Sequence, residues 1–152
     1  MDLIEAITRR HSVRSYKETP IPAEIVRRLN EEIALCNAEG GLQIQLVTED
    51  PAAFKTLLAH YGNFRGVRNY IALVGPDGFG LDEKLGYYGE RLVLLAQQLG
   101  LNTCWVGLTY KRTSSVAVAK NQTYGAAIAI GYGTTQGVQH RSKPLAEVAE
   151  LS

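Results

Sequence analysis

Apolar residues recur along this chain with two periods, and the change from one to the other predicts its elements. Leu3, Ile4 and Ile7 fall on one face of a short helix that ends on Arg9 and Arg10, cations that complement a helix C-terminus. His11 to Thr19 is polar and irregular. A second helix starts near Pro22, which suits a first turn. It runs to about Cys36 with Ile25, Leu29, Ile33 and Cys36 on one side and Arg27, Arg28, Glu31 and Glu32 on the other, and Gly40-Gly41 ends it. Leu42 to Leu46 alternates strictly, as a half-buried strand does. Pro51 to His60 reads as a helix with Phe54, Leu57 and Leu58 inward. Tyr70 to Val74 is continuously apolar and bounded by Gly75-Pro76, the mark of a strand buried on both faces. The strongest helix follows: Leu85, Tyr88, Leu92, Leu95, Ala96 and Leu99 hold a period near 3.6, Asp82 and Glu83 sit in its first turn, and Gly100 stops it. Cys104 to Val106 and Ala126 to Gly131 read as two more strands. The sum is an α+β chain with about four strands and four or five helices, with no repeat or linker to divide it, so residues 1–152 are expected to form a single domain.

Two glycines interrupt that strongest helix. Gly86 and Gly89 flank Tyr87 and Tyr88, and each costs ~1 kcal/mol against alanine in a helix. Their presence within one turn suggests that another group approaches the backbone there.

Composition narrows the function classes. Hydrophobic residues make up 45% and charged residues 20% of the chain, a globular balance. The net charge of +1 supplies no global field for nucleic acid or an anionic membrane, so any anion site must come from local clustering. The N-terminus is acidic and no apolar run reaches the ~18 residues of a membrane span. Cys36 and Cys104 have no metal-ligand or redox spacing, and His11, His60 and His140 are scattered, so no metal site is expected. A reducing, cytoplasmic setting is the expectation that follows.

Three features could carry chemistry. Arg9-Arg10-His11-Ser12-Val13-Arg14 places Arg10, Ser12 and Arg14 at alternate positions, which in extended chain point the same way and offer the guanidinium forks and hydroxyl that a phosphate wants. Gln139-His140-Arg141-Ser142-Lys143-Pro144 repeats the theme. By composition alone the first run reads sooner as a solvated charge cluster, and the second, an exposed basic loop, is weak by itself. Trp105-Val106-Gly107-Leu108 and Gly131-Tyr132-Gly133 match neither a P-loop nor a dinucleotide fingerprint, yet a strand ending in glycine can set bare backbone against a flat ring. No acid, base or nucleophile stands out as catalytic, and Glu90 reads as a surface-pairing residue.

In this order, the motifs resemble the nitroreductase family. The resemblance rests on Arg9-Arg10-His11-Ser12-Val13-Arg14-Ser15-Tyr16 after a short helix, on Tyr87 to Gly107 as core helix and following strand, and on Ala129-Ile130-Gly131-Tyr132-Gly133 followed by Arg141-Ser142-Lys143-Pro144. It spans most of the chain, which is similar to a short or C-terminally truncated member. It implies an α/β/α sandwich with a central mixed, mostly antiparallel sheet. It further implies FMN, with Arg10, His11, Ser12 and Arg14 on the phosphate and ribityl chain, and Arg141 and Lys143 closing on the same phosphate or on the oxygen edge of the flavin. Trp105, Val106, Gly107 and Leu108 would back the isoalloxazine ring, with a backbone N–H near Gly107 facing N5.

The implied activity is hydride transfer from NAD(P)H through flavin to a nitroaromatic, quinone or similar acceptor, in a homodimer with the flavin at the subunit interface. The alternative is a non-catalytic flavin-binding module. Two departures bear on it. Many relatives carry Ser-x-x-Asn-x-Gln-Pro-Trp after the second helix, where this chain reads Asn37 to Gln43, and nearer relatives continue past the position of Ser152 with a further helix. The expectation is a complete phosphate end and a thinner ring end, hence loosely held FMN.

Overall fold

In a computed structural model of the chain, residues 1–55, 62–107, 111–139 and 142–149 are described. Four strands form one sheet in the order β1-β2-β4-β3: β1 is Gln45–Val47, β2 Asn69–Pro76, β3 Asn102–Val106 and β4 Gln122–Gly131. Every neighbouring pair is antiparallel. The central pair runs from Asn69 opposite Ile130 to Pro76 opposite Gln122. Since β2 has partners on both edges, its continuous apolar run reflects burial on both faces: Asn69 to Gly75 are all buried.

Side chains alternate across the sheet with period two, and each face takes a different cover. Ile71, Leu73, Ile128 and Ile130 meet the helices α2 (Ala23–Gly40) and α3 (Leu81–Gln98) through Leu29, Ile33, Cys36, Leu92 and Ala96. Full burial of a Leu or Ile side chain stabilises by ~1.5–3 kcal/mol, so this face supplies much of the driving force. Tyr70, Ala72, Val74, Ala127 and Ala129 meet Val13, Tyr16, Phe54, Val67 and Val116. Among the described residues that second cover is extended chain and a single 3-10 turn, Pro51–Phe54.

Most of the expected elements form where the pattern places them. The α2 helix ends with Gly41 in the left-handed region (φ 64°). The first helix, α1 (Leu3–Arg9), starts on an Asp2 side chain that accepts the Glu5 N–H at 2.8 Å. Its apolar face, however, turns outward: Leu3, Ile4 and Ile7 are all more than half exposed and only Ala6 is buried. The alternating run from Leu42 enters the ladder at Gln45; just before it the Gln43 N–H donates to the Val74 carbonyl at 2.8 Å, and Asn37 of α2 binds both Ile44 backbone groups (Nδ2 to O, 3.0 Å; Oδ1 from N, 2.7 Å), tying the approach of the strand to the helix. Of the helix expected over residues 51–60, the turn Pro51–Phe54 is seen, with Phe54 buried; residues 56–61 lie outside the described ones. A last short helix, α4 (Leu145–Val148), is exposed throughout. No helix among the described residues is long and apolar enough to cross a membrane.

At the end of the sheet, Tyr70 donates its hydroxyl to Asp50 Oδ2 at 2.9 Å, and Thr113 donates to the same oxygen at 2.9 Å. Burial first, and Asp50 beside it, push the Tyr70 phenol up to about 12. A phenol held neutral in the fold stabilises it fully below its unfolded pKa of ~10, and that contribution is lost as pH rises from about 10 towards 12. Urea midpoints for the parent should therefore fall more steeply between pH 9.5 and 11.5 than those of Tyr70→Phe. Parallel slopes would show that Tyr70 is not responsible.

Candidate functional site

The segment after α1 cannot continue as helix, because Arg10 adopts extended backbone angles (φ −69°, ψ 124°). It then runs along the sheet. Ser12 pairs with Thr103 in a parallel bridge, the Val13 N–H donates to the Thr103 carbonyl at 3.0 Å, and Tyr16 N–H to that of Arg65 at 2.9 Å. Val13 and Tyr16 are buried beneath it while Ser12 and Arg14 face solvent. Alternation thus directs Arg10, Ser12 and Arg14 to one side, as their spacing predicts. With His11, Val138 and Gln139 they line a cavity of about 500 Å³.

The glycine-rich turn after β4 fits this segment closely. A Cβ on Gly137 (φ 79°) would lie 2.6 Å from His11 Cβ, and one on Gly133 would lie 2.8 Å from Val13 Cγ1 and from Asn102 Oδ1. Asn102 accepts the Gly133 N–H at 2.9 Å and donates to Gln136 at 3.1 Å. These glycines therefore serve packing of the basic segment. Gly107 differs: it is exposed and, among the described residues, nothing lies within 4 Å of its would-be Cβ, so bare backbone is open to a planar group there.

Cys104 lies under the cluster. Burial pushes its thiol up, although Arg14, Ser12 and Arg10 each pull it down, which marks a packed thiol and not a nucleophile. Burial also drives the Tyr16 phenol well above its ordinary value, and its hydroxyl donates to the Ala129 carbonyl at 3.2 Å. Among the described residues, no three His, Cys, Asp or Glu side chains are placed to hold a metal ion.

Sequence reasoning passed over Glu90 of α3. One carboxylate oxygen accepts the Trp105 indole N–H at 2.9 Å and the other meets Arg10 Nε at 3.3 Å. Its neighbour Gly89 supplies the room: a Cβ there would sit 2.4 Å from Trp105 Cη2 and 3.0 Å from Leu73 Cδ1. The group that approaches Gly89 is thus the chain's own tryptophan, whereas none of the described residues outside its own helix turn approaches Gly86. The signal was available in the costly glycine one residue before an acid, but its partner could not be named without the fold. Of the remaining expected site residues, Trp105 is half-buried and Val106 buried at the end of β3, and Lys143 is exposed just before α4 and does not itself line the cavity. Leu108 and Arg141 lie outside the described residues.

This constellation of a helix-terminal basic segment against a four-stranded antiparallel sheet coincides with an independent match. The family described as "Putative TM nitroreductase" matches residues 2–152, and the chain belongs to that family. Solved structures with the same fold include a "putative nitroreductase in complex with FMN" from Desulfovibrio desulfuricans, at TM-score 0.75 and 23% identity, covering 100% of this chain and 97% of that one. An FMN-dependent nitroreductase from Clostridium difficile R20291 superposes at TM-score 0.70 with 15% identity, covering 95% and 93%. The NfrA1 nitroreductase from B. subtilis does so at 0.76 with 12% identity, covering 98% of this chain and 73% of its own. No curated protein matches the sequence.

Gly89→Ala tests the seat of Trp105. Helix propensity favours alanine by ~1 kcal/mol, but overpacking against an indole and Leu73 costs ~1–3 kcal/mol. A lower melting temperature and a shifted emission maximum of Trp105 are expected. A more stable variant with unchanged emission would contradict the tight seat.

Proposed function

We propose that this chain is an FMN-dependent oxidoreductase that passes hydride from NAD(P)H through flavin to a nitroaromatic, quinone or similar small acceptor. The observation that carries the reading is the convergence of Arg10, His11, Ser12 and Arg14 on one cavity in a chain of net charge +1. Family membership and FMN-bound structures of the same fold support it. The donor set suits a phosphate monoester: guanidinium forks, a hydroxyl and backbone held in extended form. Arg10, Ser12 and Arg14 would hold the phosphate, with His11 beside the ribityl chain and Arg141 and Lys143 closing over it. Trp105 to Leu108 would back the ring, at the strand end where Gly107 leaves its backbone uncovered. FMN supplies the hydride chemistry when bound. The chain supplies orientation, and a backbone N–H near Gly107 offers a hydrogen bond to the ring edge where negative charge accumulates on reduction.

The test is direct. Purified protein should bind FMN by flavin fluorescence, prefer it to riboflavin, and oxidise NADH or NADPH anaerobically when an acceptor is supplied. Flavin binding without NAD(P)H oxidation would favour a non-catalytic flavin module, and equal affinity for FMN and riboflavin would remove the phosphate assignment. Losing one charged partner of a phosphate costs ~1.5–3 kcal/mol, or roughly 10- to 150-fold in affinity. Arg14→Ala should weaken FMN by that factor and leave riboflavin nearly unchanged.

The same reading includes a homodimer. Leu3, Ile4 and Ile7 of α1, Leu35 of α2 and Tyr87 of α3 are all more than half exposed. Beside them Leu3, Tyr87, Leu94 and Leu95 line an apolar cavity of about 580 Å³. Exposed apolar groups gathered on neighbouring helices mark an association surface. Light scattering should give twice the 16.7 kDa chain mass, and Ile4→Asp with Ile7→Asp should halve it. A monomeric parent at micromolar concentration would refute the dimer.

A further inference from the structure

Among the described residues, Glu90 is an acidic side chain that touches both ends of the proposed cofactor site. Its two carboxylate oxygens are divided: Oε1 meets Arg10 Nε at 3.3 Å and Oε2 accepts the Trp105 indole N–H at 2.9 Å. Arg10 belongs to the basic cavity, and Trp105 to the strand end proposed to back the ring. The two residues come from distant parts of the chain, yet both are oriented by a single side chain on α3. The arrangement is constrained on the other side as well. Gly89 removes the side chain that would otherwise block the indole, so α3 presents a gap and an acceptor at consecutive positions.

We infer that Glu90 is a positioning residue for the flavin, which fixes Arg10 and Trp105 as one unit before the ligand arrives. The inference rests on the proposed FMN site. Glu90 takes Nε, the nitrogen at the base of the Arg10 fork, and so sets the direction of the guanidinium while the fork itself remains for an anion. The ion pair is partly solvated: the two side chains keep 30% and 41% of their surface exposed. Its effect on folding is therefore small. Its effect on binding is larger, because an arginine already held in place loses less freedom when phosphate binds. Ordering one long side chain on binding corresponds to about a two- to tenfold loss of affinity.

The experiment combines a double-substitution cycle with the protein's own reporter, since Trp105 is its single tryptophan. FMN and riboflavin are titrated into the parent, Glu90→Ala, Arg10→Ala and the double variant. Acrylamide quenching of Trp105 is measured for each without ligand. Glu90→Ala should weaken FMN about two- to tenfold and expose Trp105 to quenching. In the Arg10→Ala background the same change should weaken FMN by less than about twofold. Glu90→Gln, which keeps size and an acceptor, should fall between parent and Glu90→Ala, and it carries the test if Glu90→Ala folds poorly. A full loss repeated in the Arg10→Ala background would show that Glu90 does not act through Arg10 and would overturn the inference, as would unchanged FMN affinity in both Glu90 variants. A parent that binds no FMN would instead overturn the proposed function and this inference with it.

Discussion

The stitching of the segment after α1 onto the sheet governs most of what this molecule presents. Val13 N–H on the Thr103 carbonyl, Tyr16 N–H on that of Arg65, Lys17 N–H on that of Tyr132 and Thr134 N–H on that of Ser15 together lay residues 12 to 17 across three separate parts of the chain. An extended segment so held has only two sides. One is filled by Val13 and Tyr16 in the second core, and the other must face out. The direction of Ser12 and Arg14 is thus decided by burial of the residues beside them, not by any attraction between cations. Such an arrangement keeps like charges close in the absence of an anion because the backbone, and not the charged groups, sets their spacing.

That logic explains what could be read from the chain beforehand. The segment Tyr70 to Val74 and the helix from Leu81 to Gln98 each carry one dominant period, and the residues it turns inward, Leu85, Leu92 and Ala96 among them, are buried. Alternation in Arg10, Ser12 and Arg14 is the same kind of signal, since it needs only extended backbone to become a shared direction. Where reading failed, the deciding partner lay outside the local pattern. Leu42 to Leu46 alternates like a strand, but the paired ladder begins only at Gln45, and the residue before it, Ile44, has both backbone groups held by Asn37 of α2. Leu3, Ile4 and Ile7 make an apolar face like any core helix, and nothing in spacing tells that it points away from the sheet. Glu90 resembles an ordinary surface acid, and only the return of the chain through β3 brings Trp105 to it.

Glycine use shows a similar division. Gly89, Gly133 and Gly137 all lie where a methyl group would collide with a neighbour, and each neighbour belongs to the same small region: Trp105, Val13 with Asn102, and His11. Close approach of backbone to side chain thus recurs around the basic segment and the strand beside it, as it does under the helices at Gly40, Gly75 and Gly125. Gly107 alone among these has open space around it. The close packing at the first three makes the surroundings stiff, which is the condition under which a single uncovered strand end becomes a defined surface and not merely a loose one.

On the far side of the helical layer, Arg91 joins Glu32 and Glu39 of α2 at once, and both carboxylates hold its guanidinium above its ordinary pKa. Those acids are two turns apart, about 10.5 Å along the helix axis. An arginine spanning them works as a mechanical stop. Sliding α2 by one turn in either direction, ~5.4 Å, would move both acids off the guanidinium together, so neither contact could be exchanged for the other along the way. The guanidinium therefore favours this register of the two long helices over the next one along.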